Sequence, residues 1–351
     1  MRVQSAHGLH LLRYTFPLLT TIEEIIMADK IRWGILGTGA IAHKFATGLK
    51  AVPDAQLIAV GSRTQAAADK FADEFNAPRH HASYEALADD PDVDVIYIST
   101  PHNFHKDNSI LCLNAGKPVL CEKPFTINAA ETDAVIQTAR AKKLFLMEAM
   151  WTRFLPVLVQ VRDFITAGAI GEVRMLTADF GFRTSVNAEG RLFNKVYGGG
   201  ALLDVGVYPV SLASMLFGVP TAIKALAQLG TTGVDEQAAI IFSHAGGQLA
   251  LLSTAIRTNT QHEAVIAGTD GMIKIPDWWR ATQFTLIKEG QSETFAPPFE
   301  GNGYNYEAAA VGRCLREGKL ESDVMPLEET RAIVATMDAI RAEWGLKYPG
   351  E

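Results

Sequence analysis

The feature that most constrains this chain is a short apolar run that ends on a glycine turn. Ile31-Arg32-Trp33-Gly34-Ile35-Leu36 leads into Gly37-Thr38-Gly39-Ala40-Ile41-Ala42 and then into an amphipathic stretch. In a G-x-G-x-x-A turn between a strand and a helix, each small residue has its own task. Gly37 makes the tight turn, Gly39 lets a pyrophosphate approach backbone N–H groups, and Ala42 lets the helix pack closely on the strand. The positive end of the helix dipole then faces the phosphates. The segment predicts a dinucleotide site, with Gly37, Thr38, Gly39, Ala40 and Ile41 against the cofactor.

Around this turn, β-rich apolar runs at 31–36, 56–62, 93–99, 119–121 and 144–148 alternate with helical patterns at 41–51, 65–75, 105–115 and 128–142. Alternation of this kind is the signature of a parallel, doubly wound sheet with crossover helices, and unbroken apolar runs suit strands covered on both faces. Past Trp151 the texture changes. Helical patterns at 155–167 and 202–217 are followed by strand-like runs at 172–180, 224–229, 238–243, 248–254, 263–267 and 284–288, and two helical patterns at 304–317 and 327–343 close the chain. The expected class is α/β: a Rossmann domain over 28–150, then an α+β domain over 151–351 with an open, largely antiparallel sheet. Residues 1–27 show neither period and read as a disordered extension; their faint likeness to a transit peptide is the weaker reading.

Composition excludes several functions. A formal charge of −7 with no Lys/Arg stripe argues against a nucleic-acid partner. No apolar run reaches the roughly 20 residues of a bilayer span, so no membrane partner is expected. Three cysteines without a C-x-x-C pairing suggest reduced thiols and a cytoplasmic protein. His81, His102 and His105 lack a zinc spacing, so no metal is expected.

The second strand ends in Gly61-Ser62-Arg63-Thr64, where an NAD-selective site usually carries an acid for the ribose 2′-hydroxyl. Ser62 and Arg63 can instead bind a 2′-phosphate, which favours NADP while leaving NAD possible. Moving a hydride between a carbinol and nicotinamide also requires a proton donor or acceptor at the oxygen. Cys121-Glu122-Lys123-Pro124 follows the fourth strand at the carboxyl edge, where such sheets bind ligands, and directs Lys123 toward the nicotinamide end. Asp204 and Tyr208, at i and i+4 on one helix face, can point at a common centre, and a cation such as Lys123 could lower the phenol. Trp278 and Trp279 could form a substrate wall or a dimer contact, but burial is the more ordinary fate of such residues.

The glycine turn, the Thr100-Pro101 strand end with His105, Glu122-Lys123-Pro124, and Gly199-Gly200-Ala201-Leu202-Leu203-Asp204-Val205-Gly206 together resemble the Gfo/Idh/MocA oxidoreductases. Most members carry histidine four residues after the aspartate. Tyr208 at that place, with Leu146 to Phe154, is similar to the branch of dimeric dihydrodiol dehydrogenases and NADP-dependent D-xylose dehydrogenases. The resemblance implies Lys123 and Tyr208 as the catalytic pair with Asp204 assisting, and Thr100, Pro101, His102, His105, Glu122 and Lys123 at the cofactor. It places Trp151, Arg153 and Phe154 near the substrate or cofactor, a cis bond before Pro124, and a homodimer built on the exposed face of the second sheet. The substrate would be a small carbohydrate, polyol, vicinal diol or carbonyl compound. An inositol or anhydrosugar, or a sensor that binds nucleotide without turnover, is the alternative.

Overall fold

The computed structural model describes residues 30–351, and the expected extension over 1–27 lies outside the described residues. Six parallel strands form the first sheet: β1 (Ile31–Leu36), β2 (Ala55–Gly61), β3 (Arg79–His81), β4 (Val95–Ile98), β5 (Val119–Glu122) and β6 (Leu146–Ala149). Their order is β3-β2-β1-β4-β5-β6. The direction of winding reverses between β1 and β4, which opens the crevice that binds ligands in this class of sheet. Helices α1 (Ala40–Leu49), α2 (Gln65–Phe75), α3 (Tyr84–Ala88), α4 (His105–Asn114) and α5 (Ala129–Lys142) connect the strands. Every residue of β4, β5 and β6 is buried, as unbroken apolar runs require. Beneath α1, Phe45 stacks on Tyr97 at 3.7 Å and 10°, with Trp33 alongside, so the helix that carries the glycine turn stands on an aromatic base.

The second sheet has eight strands: β7 (Val173–Gly181), β8 (Ala222–Leu229), β9 (Asp235–Ser243), β10 (Leu249–Ala255), β11 (Ala264–Gly268), β12 (Gly271–Ile275), β13 (Phe284–Lys288) and β14 (Gln291–Phe295). They run in the order β14-β13-β12-β11-β7-β10-β9-β8, and only β7 and β10 pair in parallel. Helices α6 (Pro156–Thr166) and α7 (Val207–Phe217) belong to this half. The stretch Lys195–Phe217 is long and apolar enough for a bilayer, but 78% of its most apolar window is buried inside the fold, as in a core helix. Burial alternates along β8, β9 and β10. The other face stays open, with Leu226 81%, Ile241 49% and Leu251 40% exposed.

Three strands escape the sequence pattern for physical reasons. Arg79-His80-His81 in β3 and Gln291-Ser292-Glu293-Thr294 in β14 are edge strands whose polar side chains carry no apolar alternation. β12 follows β11 after a two-residue turn, so the two blend into a single run.

The final helices, α8 (Tyr304–Arg316) and α9 (Leu327–Trp344), return to the first sheet, so the segment 151–351 is not self-contained. α8 packs on α1, while α9 packs on α5, α7 and β8. Polar ties fix this return: the Ala129 N–H donates to Asp338 Oδ2 at 2.8 Å, Arg316 pairs with Asp54 at 2.5 Å, and Arg341 donates to the Ile127 carbonyl at 3.2 Å. The two halves therefore meet on fixed terms at the crevice.

Candidate active site

The glycine turn is built for close approach. Gly37 sits at φ +102°, and a Cβ there would come within 3.0 Å of Ser99 Oγ. Gly39 precedes α1 in extended conformation with no side-chain cap, and nothing lies within 4 Å of the place its Cβ would occupy. The first N–H groups of α1 therefore remain available in open space, and Gly39, Ala40 and Ile41 line a cavity of about 450 Å³. This arrangement fits a dinucleotide diphosphate. At the end of β2, Thr38 Oγ1 and Ser62 Oγ lie 3.4 Å apart, and Arg63 is exposed outside the cavity.

The carboxyl ends of β4 and β5 supply the floor. Thr100, Pro101, His102, His105, Glu122 and Lys123 all line the cavity. His105 lies between two carbonyls, Nδ1 2.9 Å from that of Pro124 and Nε2 2.8 Å from that of Thr100, and its neutral ring donates to one of them. Burial pushes both imidazoles down, His102 well below its ordinary value. Glu122 is buried; it accepts from the Tyr97 hydroxyl and, at 3.2 Å, from the Lys123 N–H. The Lys123-Pro124 peptide is cis, as expected.

From the other half come Asp204 and Tyr208. Residues Leu202–Gly206 form a π-helical turn that runs into α7, a geometry often found at functional sites. Lys123 Nζ donates to the Asp204 carbonyl at 2.6 Å, stands 3.8 Å from its Oδ1, and lies 4.9 Å from the Tyr208 ring centroid. Burial opposes ionisation of Asp204, yet the Lys123 ammonium and the Arg191 guanidinium outweigh it and hold the carboxyl at about 2. Burial pushes the Lys123 ammonium down, against the pull of Asp204 and Glu122.

The phenol differs from expectation. Burial, reinforced by Glu122, drives the Tyr208 hydroxyl well up, and the Trp151 Nε1–H that donates to it at 3.1 Å only partly offsets this. Lys123 faces the ring, so the anticipated lowering by its charge does not govern the group, and Tyr208 is a neutral acid here.

Two other expected residues stand elsewhere. Arg153 does not line the cavity; its guanidinium is buried against Ser211 Oγ at 2.9 Å, the Ser211 carbonyl and Glu329 at 2.7 Å. Phe154 is buried beside it and also lies off the cavity. Only Trp151 of that trio reaches the site, stacked on Tyr304 at 4.6 Å. Trp278 is buried, with Nε1 on the Asp179 carbonyl, whereas Trp279 stacks on Phe180 at 4.7 Å and lines the cavity. Arg191, Phe180 and Tyr304 are cavity residues that carry no local sequence signal. Among the described residues no cluster of His, Cys, Asp and Glu could hold a metal.

Comparison with known proteins agrees with this architecture. The model of an oxidoreductase family with an NAD-binding Rossmann fold matches residues 31–150, and that of the GFO/IDH/MocA C-terminal domain matches 158–274. The trans-1,2-dihydrobenzene-1,2-diol dehydrogenase of Mus musculus is 39% identical over 331 residues, spanning 91% of this chain and 98% of its own. The Homo sapiens protein of the same name is 36% identical with the same shares. Among solved structures, a 3-ketoreductase from Actinomadura kijaniata in complex with NADP superposes with a TM-score of 0.78 at 25% identity, covering 90% of this chain and 98% of that one. An aldose-aldose oxidoreductase from Caulobacter crescentus shares the fold with a TM-score of 0.83 at 22% identity, over 90% and 97% of the two chains.

Behind the Lys123 turn, Glu148 on β6 accepts the Phe125 N–H at 3.1 Å and is itself fully buried. Burial raises its carboxyl from 4.5 to about 7, with Arg153 pulling the other way. The folded state thus holds a proton that the unfolded chain has lost between those values, so this group's stabilisation is complete below pH 4.5 and falls away as pH rises through about 7. A Glu148→Gln variant keeps an acceptor for Phe125 without the titration. Denaturant midpoints should show its stability relative to wild type improving from pH 5 to pH 8, by up to about 3 kcal/mol; a difference that does not change with pH would refute the assignment.

Proposed function

The chain belongs to the Gfo/Idh/MocA oxidoreductase family, and from that premise we propose that it is an NADP-dependent dehydrogenase/reductase interconverting a carbinol and its carbonyl in a sugar, polyol or vicinal diol. The observation that carries this reading is a single cavity in which the Lys123 ammonium, the Asp204 carboxylate and the Tyr208 phenol meet beside the bare first turn of α1. Trp151, Phe180, Trp279 and Tyr304 wall the cavity with aromatic surface. Aromatic walls over a polar floor suit a substrate with an apolar ring face and oxygens along one edge. The dihydrobenzene diol in the names of the vertebrate relatives has that character.

When bound, NADP supplies or takes up the hydride. Tyr208 handles the proton. As a neutral buried phenol it donates to the carbonyl oxygen in reduction; in oxidation it first gives its proton to solvent, and the phenolate beside Lys123 then takes the carbinol proton. Lys123 holds the substrate oxygen by charge, and Asp204 fixes its direction through the 2.6 Å bond to its carbonyl. At the end of β2, Ser62 and Arg63 would bind a ribose 2′-phosphate, a reading supported by the Actinomadura ketoreductase, which was crystallised with NADP.

The open face of the second sheet, with Leu226, Ile241 and Leu251, supports a homodimer formed face to face. In sedimentation equilibrium the wild type should weigh as a dimer, and Leu226→Asp with Ile241→Asp should weigh as a monomer; a monomeric wild type would end this part of the reading.

An absorbance screen at the nicotinamide band, with both cofactors against aldoses, polyols, diols and dicarbonyls, tests the reaction. Turnover with NADP is expected, and Tyr208→Phe should lower kcat by about 100- to 10,000-fold while NADPH still binds. Full kcat in that variant would remove Tyr208 from the proton step. Tight NADPH binding without turnover on any compound would make the chain a nucleotide sensor. Arg63→Ala should raise KM for NADP about 10- to 100-fold and leave KM for NAD little changed, since a charged hydrogen bond contributes about 1.5–3 kcal/mol; an unaltered NADP/NAD ratio of kcat/KM counts against the 2′-phosphate role.

A further inference from the structure

Arg191 reaches the cavity from an irregular segment between β7 and the π-helical turn. Its backbone is held closely: the Gly200 N–H donates to the Leu192 carbonyl at 2.9 Å, the Phe193 N–H to the Gly190 carbonyl at 3.0 Å, and the Phe193 side chain is buried. A residue anchored in this way directs its side chain reproducibly. Its guanidinium places Nη1 2.8 Å from Asp204 Oδ1, the carboxylate oxygen that also stands 3.8 Å from Lys123 Nζ. The two cations are therefore neighbours across one oxygen. They differ in access, since the Arg191 side chain is 52% exposed and that of Lys123 13%.

An arginine presents five N–H donors in a rigid planar fork, and the Asp204 contact uses Nη1 alone. On the aromatic walls the Trp151 indole N–H is already given to the Tyr208 hydroxyl and that of Trp279 to His262. Lys123 and Tyr208 lie together at one end of this polar row and Arg191 at the other, with Asp204 between them.

We propose that Arg191 is a substrate-reading residue: its free N–H edge binds the oxygen on the carbon next to the reacting one, so the site selects vicinal diols and α-hydroxy carbonyls over simple alcohols and ketones. This rests on the reading of Lys123 and Tyr208 as the pair at the reacting oxygen. A substrate without the second oxygen forgoes one charge-assisted hydrogen bond, and the half-exposed guanidinium then keeps water in its place, so the preference is moderate.

The test compares trans-1,2-cyclohexanediol with cyclohexanol, using NADP and the wild-type, Arg191→Met and Arg191→Lys proteins. NADPH binding, followed by nucleotide fluorescence, reports that each variant is folded. Wild type should favour the diol in kcat/KM. Arg191→Met should lose about 10- to 100-fold on the diol, chiefly through KM, with a loss on cyclohexanol about tenfold smaller. Arg191→Lys should recover part of the diol preference. Equal losses on the two substrates would overturn the proposal, because Arg191 would then act only by positioning Asp204. A wild type indifferent to the second hydroxyl would overturn it too. A wild type that turns over neither these nor any compound of the wider panel would overturn the oxidoreductase reading and this assignment with it.

Discussion

The Lys123 ammonium and the Asp204 main-chain carbonyl meet at 2.6 Å across the seam between the two halves. Lys123 belongs to the end of a parallel strand and Asp204 to the start of a core helix, 81 residues apart, and each also faces an opposite charge in its own half, Glu122 for Lys123 and Arg191 for Asp204. Removing the ammonium would leave the Asp204 carboxylate, which is 7% exposed, with Arg191 as its neighbouring cation. Removing Asp204 would leave a nearly buried ammonium above Glu122. The return of α8 and α9 to the first sheet adds contacts across the same seam, α8 on α1 and α9 on α5.

Buried carboxyls also stand at and behind the site. Glu122, Glu148 and Glu307 are all nearly inaccessible, and both carboxyl oxygens of Glu307 lack a partner. Burial drives the Glu307 carboxyl well up, and Glu122 adds to the effect. Negative charge therefore concentrates where a cation can answer it, at Asp204. Three carboxylates ionised together in such a volume would cost several kcal/mol each. Protonation is the cheaper solution.

How much of this was legible in the sequence depends on how local each determinant is. The glycine turn was readable because Gly37, Gly39 and Ala42 act within six residues, and their tasks follow from backbone geometry alone. The parallel strands were readable because burial on both faces leaves unbroken apolar runs. β3 and β14 were not, since edge strands need no apolar side chains. Lys123, Asp204 and Tyr208 could be picked out as reactive types, yet their electrostatics could not, because the burial that raises Tyr208 comes from Trp151, Phe180 and Tyr304 in three separate elements. Arg153 shows the reverse error. Its segment belongs beside the site, but Ser211 and Glu329, 58 and 176 residues away, turn the guanidinium inward. Arg191 lies in a segment without period, so only the folded chain shows what it faces.

The strapping of the first sheet by residues from the far end of the chain bears on the order of events during synthesis. α5 and α1 are covered by α9 and α8, and the Tyr348 hydroxyl donates to the Gly199 carbonyl at 2.7 Å, beside the glycines that precede Asp204. A growing chain can assemble β1 to β6 early, since all six strands lie within residues 31–149, but the outer surfaces of α1 and α5 wait uncovered until residues 304–351 leave the ribosome. During that interval the Ala129 N–H, the Asp133 carboxylate and the Ile127 carbonyl, which later meet Asp338, Arg331 and Arg341, have water as their partner.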